Sequence, residues 1–227
     1  ISKNYEDKAL KSADVITAVS KETCDYYSKN GFDVLHVPNA INLDDFPKKD
    51  IKKFEKQIIF AGRLSKEKGI DVLLDIAKRL SPEYNLLILG TGPEEKKIRN
   101  ISNSKANVHY LGYQSKQNTI SLIRGSDLLI QPSIIEGISS TILEAMGCET
   151  CIIASNVGGN PELIENNKTG VLVEPNNTEE FIEKISYLLI ENEKRSAMAA
   201  NGLKTVVKYD WKQVGKLYLD TYEKLLR

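Results

Sequence analysis

The stretch Leu128-Leu129-Ile130-Gln131-Pro132-Ser133-Ile134-Ile135-Glu136-Gly137-Ile138-Ser139-Ser140-Thr141-Ile142-Leu143-Glu144 decides the fold. Its first four residues form a near-continuous apolar run, as expected of a parallel strand covered on both faces. Ser139, Ser140 and Thr141 are good capping residues, and they open a helix predicted over Ser140–Gly147. Two carboxylates, Glu136 and Glu144, stand eight positions apart across that helix mouth, with Gly137 and the small hydroxyl residues between them. Helix-opening N–H groups can meet an anion. Ionised carboxylates accept hydrogen bonds from sugar hydroxyls. The arrangement suits a phosphorylated sugar. The plainer alternative is one capped helix with Glu144 facing solvent.

The same strand–loop–helix unit repeats along the chain. Strands are expected at Val15–Val19, Val34–Val37, Ile58–Ala61, Leu86–Leu89, Val108–Leu111, Leu128–Gln131, Cys151–Ala154 and Gly170–Val173. Helical periodicity is clearest over Ile70–Leu80, where Ile70, Leu73, Leu74, Ala77 and Leu80 share a face. Further helices are expected at Glu94–Ile101, Lys116–Arg124, Thr178–Glu191, Glu193–Val207 and Trp211–Leu226. Strands alternating with helices of this length argue for a doubly wound, mostly parallel α/β sheet.

Open α/β sheets bind ligands beyond the carboxyl ends of their strands, so the loops there carry the chemistry. After Ile58–Ala61 come Gly62, Arg63 and Lys68, two cations on a glycine-bounded loop that suit a diphosphate. Arginine grips phosphate oxygens bidentately, and lysine acts as a mobile point charge. A charged surface turn is the even alternative for this loop alone. After Leu86–Leu89 comes Gly90-Thr91-Gly92-Pro93, where glycines permit a close approach to the backbone. The peptide groups around Tyr113 suit the edge of a nucleobase. Val157-Gly158-Gly159-Asn160-Pro161-Glu162 reads as a flexible structural turn at the rim.

The chain has 227 residues, 41% of them hydrophobic, enough for one large domain or one and a half smaller ones. Lys+Arg and Asp+Glu are both 31. No global basic field argues for nucleic acid or an anionic membrane. No apolar run approaches about 18 residues, the length of a membrane span. Cys148 and Cys151 form a C-x-x-C pair that reads as two small apolar residues at a helix-to-strand turn. The two histidines, His36 and His109, are far off in sequence, and a zinc site needs about four ligands. Three cysteines suggest a reducing compartment.

Residues 1–42 read as a small separate piece and the start of a linker, and the chain opens abruptly on Ile1, as a fragment of something longer. Residues 43–56 read as a charged linker, rich in lysine. The main domain is expected over 57–207. Residues 208–227 form a last helix whose stripe of Trp211, Val214, Leu217, Tyr218, Tyr222 and Leu225 needs a surface to cover, with the first piece as the candidate.

Taken together, these motifs resemble the C-terminal, donor-binding half of a retaining GT-B glycosyltransferase of family four, the glycosyl transferases group 1. The resemblance rests on Gly62-Arg63 with Lys68 and Gly69, Gly90-Thr91-Gly92-Pro93, Gly112-Tyr113, the Glu136/Glu144 pair and Gly158-Gly159-x-Pro161-Glu162. It implies a Rossmann-like domain with a remnant of the N-terminal acceptor domain. It implies that Arg63 and Lys68, catalytic together with Glu136, hold the donor diphosphate, with the backbone N–H groups of Ser140 and Thr141 adding to the anion site and Gly137 among the donor-binding residues. Glu144 would bind ribose and Glu136 the donor sugar, while Gly62, Gly92 and Tyr113 line the nucleotide. A UDP-sugar is the default donor, with GDP-mannose close behind. No metal or other cofactor is implied, since no D-x-D motif occurs and protein cations replace the metal's charge. The acceptor would sit on an N-terminal domain outside this chain, so this chain alone would transfer little. The parent enzyme would be cytoplasmic, with peripheral contact at the inner face of the membrane through that domain.

The chain departs from the family pattern at Ile138, where an aromatic or Pro is usual, and at Cys148-Glu149-Thr150-Cys151, where Cys-Gly-Thr-Pro is common. Two other functions fit the same motifs: a non-catalytic nucleotide-sugar or phosphate-binding module, and a GT-B-type epimerase. The epimerase calls for histidines near the sugar, and neither His36 nor His109 falls in the expected mouth.

Overall fold

The computed structural model describes residues 3–47 and 50–226. In chain order the elements are α1 (Lys3–Lys11), β1 (Ile16–Ala18), α2 (Lys21–Lys29), β2 (Val34–His36), β3 (Gln57–Ala61), α3 (Ile70–Arg79), β4 (Asn85–Leu89), α4 (Glu95–Ser104) and β5 (Val108–Gly112). They continue with α5 (Lys116–Arg124), β6 (Leu128–Gln131), α6 (Ser140–Gly147), β7 (Cys151–Ser155), α7 (Asn160–Leu163), β8 (Val171–Val173), α8 (Thr178–Ile190), α9 (Asn192–Val206) and α10 (Trp211–Leu225). Among the described residues no helix is long and apolar enough to cross a membrane.

Six strands form one parallel sheet in the order β5-β4-β3-β6-β7-β8. Its apolar runs are continuous because both faces are covered. Along β3, Ile58 and Phe60 face one layer, formed mainly by α3, α4, α8 and α9. Ile59 and Ala61 face the other, with α5, α6 and α7. All five β3 side chains are buried, and each large one contributes roughly 1.5–3 kcal/mol. Strand order reverses between β3 and β6. The crossovers leave in opposite directions there, which opens a crevice at the carboxyl ends of the strands.

The small N-terminal piece holds a second, two-stranded parallel sheet, β1 with β2. Residues 43–56, which composition marks as a linker, lie seated on the main domain; Lys48 and Lys49 fall outside the described residues. Leu43, Phe46, Ile51 and Phe54 pack against the sheet's second layer. The Ile51 N–H donates to Ser121 C=O at 2.9 Å, and Gln57 Oε1 accepts the N–H groups of Lys53 and Phe54. Charge counting hides these four apolar anchors.

Asp210 joins the two ends of the chain. Its carboxylate accepts the N–H of Lys212 at 2.8 Å, capping α10, and the N–H of Leu43 at 3.2 Å. Ile41 bonds to Tyr209 C=O and Trp211 N–H on either side. Thr221, Lys224 and Leu225 then line a groove with the β1 and β2 ends. The expected stripe on α10 is covered only in part: Val214 is buried, whereas Trp211, Leu217, Tyr222 and Leu225 stay exposed.

Candidate functional site

The crevice between the β3 and β6 loops holds a cavity of about 570 Å³, lined by Ala61, Gly62, Arg63, Leu89, Gly90, Thr91, Gly92, Tyr113, Gln114, Thr119 and Thr141. Its floor is main chain against main chain. A Cβ on Gly90 would lie 1.9 Å from Gly62 C=O, and one on Gly92 would lie 2.4 Å from Leu64 C=O. Only glycine fits, and the Gly90 φ of +121° is itself a glycine conformation. The Leu64 N–H to Thr91 C=O bond at 2.9 Å and the Gly90 N–H to Gly112 C=O bond at 2.8 Å tie the three loops together.

Arg63 is exposed at the mouth and makes no ion pair among the described residues. Tyr113 is 77% exposed and stands over the opposite rim. Thr141 closes the cavity from α6, its hydroxyl 3.3 Å from Ala61 C=O. Ser139 caps α6 by accepting the Ile142 N–H, and the first helix bond runs from Leu143 N–H to Ser139 C=O. The Ser140 and Thr141 amides precede that bond and point out of the helix N-terminus, where an anion is favoured.

A second cluster sits beside the cavity. Lys68 Nζ is 2.5 Å from Glu136 Oε1. The same oxygen accepts Ser133 Oγ–H at 2.8 Å and Gln131 Nε2–H at 3.1 Å. The Glu136 side chain is only 6% exposed. Three donors on one oxygen hold the carboxylate in place, while Oε2 takes no hydrogen bond from the described residues. The loop beneath is equally fixed, because the Ile134 N–H donates to Glu67 C=O at 2.8 Å. Sequence reading misses Gln131 and Ser133 as anchors, although both stand within five residues of Glu136.

Glu144 lies on the same face of α6 as Thr141, three residues on. Burial raises its carboxyl above the ordinary range, and the nearby Lys116 opposes the rise. The structure thus brings Gly62, Arg63, Gly92, Tyr113 and Thr141 around one cavity. Lys68, Glu136, Gly137, Ser140 and Glu144 stand outside its lining, on the two loops and the helix that flank it. Thr91, Gln114 and Thr119 line it without having been singled out; Thr119 follows the Ser115 cap of α5 by one turn, which is the signal that could have found it. Cys148 and Cys151 are free and buried, and burial pushes each thiol up to about 12. They are packing residues.

The family profile for glycosyl transferases group 1 matches residues 42–205. The chain belongs to this family. A glycosyltransferase of Methanocaldococcus jannaschii, itself uncharacterized, is 31% identical over 222 residues, covering 96% of this chain and 61% of the relative. N,N'-diacetylbacillosaminyl-diphospho-undecaprenol alpha-1,3-N-acetylgalactosaminyltransferase of Campylobacter jejuni is 28% identical, covering 75% of this chain and 45% of the relative. The crystal structure of HepE from Anabaena in complex with UDP-glucose superposes with a TM-score of 0.86 at 19% identity, covering 96% of this chain and 66% of that one. The group 1 glycosyltransferase fold seen here is GT-B, like that of its solved neighbours. The chain spans about three fifths of the length of the first curated relatives it matches.

Proposed function

We propose that this chain is the donor-binding part of a glycosyltransferase that moves a hexosyl or N-acetylhexosaminyl unit from a nucleotide diphosphate sugar, with retention at the anomeric carbon. The observation that carries this reading is the convergence of Arg63, the α6 N-terminus and the Lys68–Glu136 pair around a glycine-floored cavity at the point where strand order reverses. Arg63 and the Ser140 and Thr141 amides grip the diphosphate. Lys68 keeps two of its three protons for phosphate oxygens while the third holds Glu136. These charges stabilise the leaving diphosphate as it develops. Protein cations perform the work a metal would do, so the reaction runs without one.

Glu136 orients the sugar through its remaining oxygen. Its other oxygen is committed to three donors, so we assign it electrostatic positioning and no covalent step. The leaving phosphate takes the acceptor's proton on the same face. Glu144 clasps the ribose, and Tyr113 meets the base. The donor complexes of structural neighbours support a UDP-sugar, and the Campylobacter relative's name supports an N-acetylhexosamine. The acceptor binds to the part of the protein that this chain does not span, which works in the cytoplasm against the inner face of the membrane.

Calorimetric titration with UDP, UDP-N-acetylglucosamine, UDP-glucose and GDP-mannose tests the assignment. Arg63→Ala and Lys68→Ala should each weaken the preferred donor by about 10- to 100-fold, the scale of a lost charged hydrogen bond. Failure of the wild-type chain to bind any of the four would overturn it.

A further inference from the structure

The turn Val157–Glu162, expected to be a flexible rim, is held by close backbone contacts. Gly158 has φ +53°, and a Cβ there would lie 1.8 Å from Glu136 C=O. The Gly159 N–H donates to Gly137 C=O at 2.8 Å. The backbone of this turn therefore supports the loop that carries Glu136. Three residues after Gly159, Glu162 reaches from α7 to the small N-terminal piece. Its Oε1 accepts the N–H of Lys21, the first residue of α2, at 2.7 Å. Its Oε2 lies 3.6 Å from Nε2 of His36, the last residue of β2. The carboxylate thus meets both the positive end of a nine-residue helix and an imidazole.

A second set of contacts joins the same two regions. Asn39 Nδ2 donates to Ile138 C=O at 2.8 Å. Val19 Cγ2 packs 3.4 Å from where a Gly137 Cβ would stand. The loop Glu136–Ile138 is therefore gripped from below by Gly158 and Gly159 and from the side by the small piece. Among the described residues, Glu162 is the one charged side chain of the turn below the loop that touches the small piece. The Glu162 side chain is 15% exposed. Ser20 already caps α2 through the Thr23 N–H, so the bond to Lys21 adds a second satisfied amide at that end.

We propose that Glu162 is a positioning residue: it locks the 3–42 piece to the turn beneath Glu136, so that the angle of that piece and the placement of the sugar-facing carboxylate are set together. This role rests on the donor-site reading above. Glu162 touches neither the cavity nor the Lys68–Glu136 pair, and it acts through the Gly158–Gly159 backbone. Movement of the 3–42 piece is then felt first at Glu136 and Gly137, and only later at the glycine floor around Gly90 and Gly92.

Hydrogen exchange read by mass spectrometry tests this on the chain as it stands. In Glu162→Ala, exchange should rise together in peptides covering 20–24 and 136–139, by about tenfold or more, while β3 and β6 stay protected. Glu162→Gln keeps an oxygen that can accept the Lys21 N–H and should restore protection at 136–139. In parallel, Glu162→Ala should leave the UDP affinity near that of the wild type and bring the ratio of UDP-N-acetylglucosamine to UDP affinity toward one. A rise confined to 20–24, or none at all, overturns the proposal and leaves Glu162 a simple helix cap. Equal losses for UDP and UDP-N-acetylglucosamine also overturn it. If the wild type binds neither nucleotide, the donor reading fails, and the exchange pattern alone still decides the positioning role.

Discussion

The six-stranded sheet and the two-stranded sheet obey the same rule with unequal means. In β3 every side chain is buried, with helices on both faces. In β1 and β2 only Ala18 is buried; Leu35 is 44% exposed, and Val15, just before β1, is 38% exposed. Parallel strands need cover on both faces, and the small piece lacks the elements to supply it. What holds it is a set of discrete contacts: the polar ones of Glu162, Asn39 and Asp210, the apolar ones of Val19 and Ile41, and part of α10. One region is stable by area, and the other is placed by a few contacts. A domain held by few bonds is the one that can move against its neighbour.

That contrast can be broken most severely inside the large sheet. Phe60 is fully buried, and Phe60→Ala should cost about 3–5 kcal/mol in urea unfolding. Leu35→Ala in the small sheet should cost less than about 1 kcal/mol; similar losses would show that the two regions form one cooperative core. Next in size is Asp210→Ala, which removes the cap of α10 and the bond to Leu43. It should cost about 1–2 kcal/mol, with added exchange confined to α10 and residues 14–43. Spread of that exchange into β3–β8 would sink the idea of separate holding.

A smaller effect is expected within the large domain. Glu149 sits at φ +57°, a left-handed conformation. Glu149→Gly should stabilise the chain by about 0.5–1 kcal/mol, seen as a higher urea midpoint. A lower midpoint would mean that the side chain earns its place by contacts the backbone argument ignores.

The smallest effect concerns Glu144. Burial raises its folded pKa above the ordinary value of 4.5. The folded state then holds that proton more tightly than the unfolded state does. Stability from this group is present below the ordinary value and lost as pH rises through the raised one. Glu144→Gln should therefore flatten that slope, raise the midpoint at neutral pH and weaken nucleotide binding. An unchanged pH profile between about pH 4 and about pH 8 would contradict the burial argument.

Much of this molecule is readable in its residues. The β6 strand and the helices α5 and α6 fall where the pattern puts them, because the apolar runs are unbroken and Ser139 marks the start of α6. The four-residue α7 is too short to show a period, so it reads only as a turn. The seating of 43–56 is hidden because its charges outnumber its anchors. At the site, Arg63, Gly92, Tyr113 and Thr141 meet as the loop argument expects. The pairing of Lys68 with Glu136 spans 68 positions and depends on how two loops stack, which no local signal carries. The departure at Glu149 has a physical reading: the turn wants glycine because its backbone is left-handed.

The cavity floor has one more consequence. Where Gly90 and Gly92 meet Gly62 and Leu64, atoms of the polypeptide spine touch one another directly, with no side chain interposed. Such a surface offers an engineer nothing to trim or enlarge. On the proposed donor reading, a change of nucleotide preference would have to proceed from the walls, at Thr91, Gln114 and Thr119, leaving the base plate untouched.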